Sequence, residues 1–205
     1  MSAELSPPLA PLSPVPPIED LSPNAAWGAD VRRAYLYWAA KWSPGRLPGR
    51  GDIDPLEFPD LWRGVWLMDV AYRPFKLRYR LVGTLIVEAI GFDPTGRDLD
   101  DAHPHVRRTP GFFARYERAA ASGTPSRRRG TALLWRHDDF RAVENVLLPF
   151  AADGRCVDMF MMYTSVLRAN GSRVRGSAHA DPPFPGAARG IARLRPGGGP
   201  RDTAA

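Results

Sequence analysis

Apolar residues recur at helical spacing in one early stretch and with a period near two in several later ones. In "VRRAYLYWAAKW", residues 31–42, Val31, Ala34, Tyr35, Trp38 and Trp42 fall on one stripe of an α-helix. Asp30 can cap its start, and Ser43-Pro44-Gly45 stops it. The stripe has two readings. It packs on the domain's own sheet, or Val31, Tyr35, Trp38 and Trp42 form an interface for a partner, since large aromatics concentrate at such patches. The segment "GRLPGRGDIDPLEFPDLW" reads as loop with one short helical turn after Pro55.

Strands follow. "GVWLMDVAY" is a mostly apolar run, Arg73-Pro74 is a turn, and "FKLRYRLVG" alternates, with Phe75, Leu77, Tyr79 and Leu81 on one face and Lys76, Arg78 and Arg80 on the other. Thr84 can cap a short helix, "LIVEAI", which Gly91 ends, and Asp93-Pro94-Thr95-Gly96 has the residue order of a type I turn. "GFFARYERAAASG" predicts a further helix with Phe112, Phe113 and Tyr116 inward. Three strands close the pattern: "SRRRGTALLWRH", "FRAVENVLLPFA" and "CVDMFMMYTSVL". They are linked by His137-Asp138-Asp139 and by Asp153-Gly154, a hairpin signal.

Hairpin-linked final strands leave no room for helical crossovers, so a doubly wound parallel sheet is excluded. The expected fold class is α+β: a five-stranded antiparallel sheet with short helices on one face and an N-terminal amphipathic helix. In the last strand Val157, Met159, Met161 and Tyr163 alternate with Phe160 and Met162, so both faces are apolar and the strand belongs in mid-sheet. The helix over residues 31–42 is the candidate cover for the outer face.

Glycine and proline density marks the flanks. Residues 1–26, with "PPLAPLSPVPP", predict an extended or disordered tail, and so do residues 169–205, leaving 27–168 as the domain. The net charge of +6 invites a nucleic-acid partner, but arginine outnumbers lysine twenty-six to two. With Ala, Gly and Pro also abundant, that skew reflects G+C-rich coding more than phosphate contacts. The cluster Arg127–Arg129 also lacks interleaved aromatics for base stacking. Apolar runs of ten or fewer fall short of the ~20 residues of a membrane span, and the first thirty residues hold seven prolines and no Lys or Arg. A cytoplasmic location is expected. The single cysteine, Cys156, excludes an intramolecular disulfide and a multi-cysteine metal site.

The strings "DIDPLEFPDLW", "LMDVAYRPFKLRYRLVGTLIVEAIGFDPTGRDLDD" and "ENVLLPFAADGRCVDMF" resemble a proteobacterial family of stand-alone PAS domain proteins, over residues 30–168. The resemblance implies one antiparallel sheet cupping a small cavity, and a sensory module that acts in trans on a signalling partner or as a homodimer. Residue chemistry qualifies this. A reactive cysteine for flavin is missing from the mid-domain helices, and Cys156 reads as a half-buried thiol at a strand start. Haem would need an axial ligand, and His103 and His105 read as a loop pair, Met161 and Met162 as core. "DLDDAHPH" gathers Asp98, Asp100 and Asp101 with the two histidines, without a metal-ligand spacing; solvated loop charges are the simpler account. No resident cofactor or metal is evident. Glu144, inside an otherwise apolar strand, needs water or a cation such as Arg80 or Arg136. It serves as a cross-strand ion pair, a polar anchor in a ligand cavity, or the acid of a small cone-shaped α+β hydrolase or isomerase. The expected cavity is largely apolar, drawn from Tyr79, Leu81, Phe113, Trp135, Val146, Met161 and Tyr163, with Glu144 as anchor.

Overall fold

A computed structural model describes residues 16–134 and 140–168. In chain order the elements are β1 (Glu19–Asp20), α1 (Ala29–Ala39), β2 (Val65–Ala71), β3 (Lys76–Val82), α2 (Thr84–Ile90), α3 (Leu99–Ala102) and α4 (Ala114–Ser122). The strands β4 (Ser126–Gly130), β5 (Phe140–Phe150) and β6 (Met159–Arg168) follow. The turn chemistry is as the residues require. Gly91 ends α2 at φ 82°, and Gly154 carries the β5–β6 hairpin at φ 76° while the Asp153 carboxylate accepts from the N–H groups of Arg155 and Cys156. Gly83, not Thr84, caps α2, because a Cβ there would lie 2.4 Å from the carbonyl oxygens of Trp62 and Arg63. Likewise α1 starts at Gly28, and Asp30 lies in its first turn.

The sheet has six strands in the order β1-β4-β5-β6-β2-β3. Five are antiparallel neighbours as expected, and β6 joins the early hairpin through Val65↔Tyr163 to Asp69↔Met159. The sixth is a correction: β1 pairs parallel to β4 through Glu19↔Ser126 and Asp20↔Arg127. Residues 16–26 thus belong to the folded part rather than to a leader. Residues 1–15, 169–205 and the turn at His137-Asp138-Asp139 lie outside the described residues. A second correction concerns the strand expected over 126–137, which leaves the sheet after Gly130.

Strict alternation gives the sheet two apolar faces. Trp66, Met68, Val143, Asn145, Leu147, Phe160, Met162 and Thr164 share the inner face, which α4 roofs through Tyr116 against Phe160, ring centroids 6.2 Å apart. Glu144, Val146, Leu148, Met161 and Tyr163 share the outer face. There α1 packs against β5 and β6, with Val31, Ala34, Tyr35 and Trp38 buried and Trp38 Nε1 donating to Pro149 O at 2.7 Å. The aromatic stripe is therefore core. A partner surface built from Val31, Tyr35 and Trp38 is not available on the folded domain, and Trp42 is itself half-buried beyond the helix end.

Arg127 of β4 is fully buried on the outer face. Its Nε and Nη2 donate to Glu144 Oε1 at 3.0 and 2.9 Å, and its Nη1 reaches both Asp20 oxygens at 3.1 Å. It also donates to the carbonyls of Ser22, Ala25 and Ala26 and lies 5.0 Å over the Trp27 ring. Glu144 in turn accepts from Gly28 N–H with both oxygens, at 2.9 and 3.1 Å. The expected partners of Glu144 are thereby corrected: Arg127 takes the role, Arg80 pairs with Asp69, and Arg136 lies outside the described residues. One guanidinium pins residues 20–28 and the start of α1 to the sheet.

Two outcomes follow for chemical denaturation. Trp38→Ala is expected to cost about 3–5 kcal/mol, as a large buried side chain, while Leu36→Ala on the exposed side of α1 stays within about 0.5 kcal/mol. Arg127→Met and Glu144→Gln each break a buried ion pair from one side and are expected to cost about 3–5 kcal/mol, whereas the double variant costs clearly less than their sum. Strict additivity in that cycle would show that the two charges are not coupled.

Candidate functional site

A cleft of about 280 Å³ opens on the inner face between α4, the loop before it, and the segment that runs from β4 to residue 134. Trp66, Met162 and Thr164 line it from the sheet, Phe112 and Tyr116 from the helical side, and Leu133 and Leu134 from the segment after β4. Trp66 is held by its Nε1, which donates to Thr164 Oγ1 at 3.0 Å, and by stacking on Tyr79 at 6.0 Å. The walls are therefore mostly fixed apolar and aromatic surface.

Arg115 supplies the polar end. It sits in the first turn of α4 and is 8% exposed. Its Nε donates to Ser126 Oγ at 2.7 Å, Nη1 to Asn145 Oδ1 at 2.6 Å and Nη2 to Ser126 O at 2.6 Å. Every one of these acceptors is neutral. Burial pulls the Arg115 pKa down to about 10, with Tyr116 and Glu19 opposing that direction and Arg128 and Arg118 adding to it. Beside the cleft, Tyr79 is fully buried, and its hydroxyl has no hydrogen-bond partner among the described residues. Burial pushes its pKa well above the ordinary value.

The structure redistributes the residues expected to form the cavity. Glu144, Val146, Met161 and Tyr163 lie on the opposite face, under α1. A one-residue shift in reading a strand exchanges its faces, and strands apolar on both sides carry no polarity to choose between them. Leu81 is 39% exposed, because the register passes from Leu67↔Leu81 to Met68↔Tyr79 and leaves Arg80 as an extra residue; this bulge turns Leu81 to the other side from Tyr79. Tyr79 and Phe113 are on the helical side but do not line the cleft, Phe113 sitting at the α4 start with its ring edge-on to Phe112. Trp135 lies outside the described residues. Asn145 and Thr164, overlooked in the sequence, are register partners on β5 and β6. Each is a polar residue in an apolar run, and that pairing was the available signal.

The groups weighed for cofactors are placed as follows. His103 is buried, edge-on to Tyr79, while His105 is exposed with its Nε2 2.8 Å from Leu133 O; both border a second, wider cleft with Phe92 and Arg97. Met161 and Met162 point to opposite faces. Asp98, Asp100 and Asp101 bring carboxylate oxygens within 4.8 Å of one another, and Lys76 and Arg107 bridge them. Cys156 is exposed in the hairpin rather than half-buried. Among the described residues, no helix is long and apolar enough to cross a membrane.

A search of curated proteins finds none that matches this chain. A family model described as PAS domain matches residues 29–160, from the start of α1 into β6, which is well over half of the sequence. Together with the mixed α+β architecture and its antiparallel sheet cupped by short helices, that match shows that the chain belongs to the PAS domain family.

Proposed function

We propose that the chain is a non-catalytic sensory module in which the inner-face cleft takes a small ligand and β4 passes the change in occupancy to a partner in trans. That partner is a second copy or another signalling protein. The observation that carries this reading is the position of β4. Ser126 and Arg128 face the cleft side, with Arg128 among its lining residues, while Arg127 between them faces the other way and holds residues 20–28 and the start of α1. A ligand that repositions Arg115 or Arg128 acts on the strand that anchors the N-terminal segment. Contacts on both sides of one strand support this reading, because a ligand shifts a population only through contacts that differ between the two states.

The non-catalytic part of the proposal is supported by where the carboxylates lie. Glu144, the candidate acid of a cone-shaped enzyme, is engaged by Arg127 and Gly28 on the α1 side, and among the described residues no Asp or Glu lines the cleft. The carboxylate-based chemistry of that alternative needs such a group within reach of the bound molecule.

Methyl NMR of protein labelled at its five methionines tests the reading, because Met162 lines the cleft and its neighbour Met161 faces α1. A fragment that enters the cleft is expected to shift the Met162 methyl while leaving Met161 nearly still. Titration of a fragment library that moves neither signal, or that moves Met161 alone, would count against the cleft as the ligand site.

A further inference from the structure

Arg115 is a charge placed where charge is costly. It is buried, it stands at the positive end of the α4 dipole, and its three acceptors are the neutral oxygens of Ser126 and Asn145. A guanidinium has five N–H donors, and among the described residues three of those of Arg115 find acceptors. Arg118 and Arg128 also line the cleft. Arg118 reaches Glu19 at 3.0 Å outside it, and Arg128 donates to Thr131 O at 2.8 Å. Among the described residues, the lining thus carries three arginines and no carboxylate. Arg127, on the opposite face of the sheet and more deeply buried, is met by Glu144 and Asp20. Among the described residues, carboxylates contact one buried arginine directly and none hydrogen-bonds the other.

We infer that the cleft is built for a small organic monoanion, a carboxylate carrying a compact apolar body. The carboxylate would take the open donors of Arg115 with help from Arg128. The hydrocarbon part would lie against Trp66, Phe112, Tyr116 and Met162. A planar carboxylate matches the guanidinium fork better than a halide or an uncharged polar group, and such charge-assisted pairs are about twice as strong as neutral ones. The apolar walls, in turn, select against bare inorganic anions, which bring nothing to bury there. This inference rests on the cleft being the ligand site, as proposed above.

The experiment compares hexanoate and phenylacetate with their uncharged amides by isothermal titration and by the Met162 methyl shift. Wild-type protein is expected to bind at least one acid about tenfold or more tightly than its amide. Arg128→Gln should lower acid affinity and leave amide affinity unchanged. Asn145→Asp is the decisive variant. It places a fixed carboxylate beside Arg115, so the domain is expected to stay folded, by circular dichroism, while acid binding falls about tenfold or more and the amides still bind. If acid and amide bind equally, or if Asn145→Asp leaves acid affinity intact, the anion inference is overturned while the cleft stands. If neither acid nor amide moves the Met162 methyl, the anion inference is overturned too. In that case a neutral fragment that does move the signal preserves the cleft as the ligand site, and silence across the library removes it.

Discussion

The antiparallel pairing of β6 with β5 on one side and β2 on the other is the constraint on which the rest of the structure depends. It places a strand with apolar residues on both faces at the centre of the sheet, and each face must be removed from water. α1 covers one and the α2–α4 region the other. The two covers are not equivalent. The outer one is a single helix locked by Trp38 and the Arg127–Glu144 pair, whereas the inner one is assembled from short elements and leaves a cleft beside α4.

Two buried arginines, twelve residues apart in sequence, show how one fold uses the same side chain in opposite ways. Arg127 is compensated by two carboxylates and stacks on Trp27, so its desolvation is offset by close, charge-assisted bonds. Its work is to bind a segment of irregular backbone, residues 20–28, whose carbonyls would otherwise lack donors near the sheet. Among the described residues Arg115 has neutral acceptors alone, and it keeps its charge at a lowered pKa of about 10. A side chain left with a desolvated charge beside an open cleft is a place where a bound molecule changes the local energetics most.

Because consecutive residues of a strand face opposite ways, β4 couples these two environments through three residues. Ser126 accepts from Arg115, Arg127 holds the N-terminal segment, and Arg128 borders the cleft. For a PAS domain without an effector segment among the described residues, such a strand offers a short physical link from interior to surface.

The β2–β3 and β5–β6 hairpins, the exclusion of a doubly wound parallel sheet, a helix expected over residues 31–42 and found at 29–39, and the mid-sheet place of β6 were legible in the sequence, because each rests on local period and turn chemistry. The family resemblance was legible for the same reason, being carried by contiguous strings. The sixth strand was not: Glu19-Asp20 has no strand propensity and pairs only because Arg127 and the neighbouring β4 backbone receive it. The candidate site was not: of the residues expected to line the cavity, none among the described ones lines the cleft, because which of Met161 and Met162 faces it depends on cross-strand register and the outward turn of Leu81 on a bulge at Arg80. Local sequence thus determined which segments become strands and helices, since those choices are set within a few residues. Tertiary structure decided which face each side chain takes and which buried arginine finds a carboxylate, since both depend on residues brought together from distant parts of the chain.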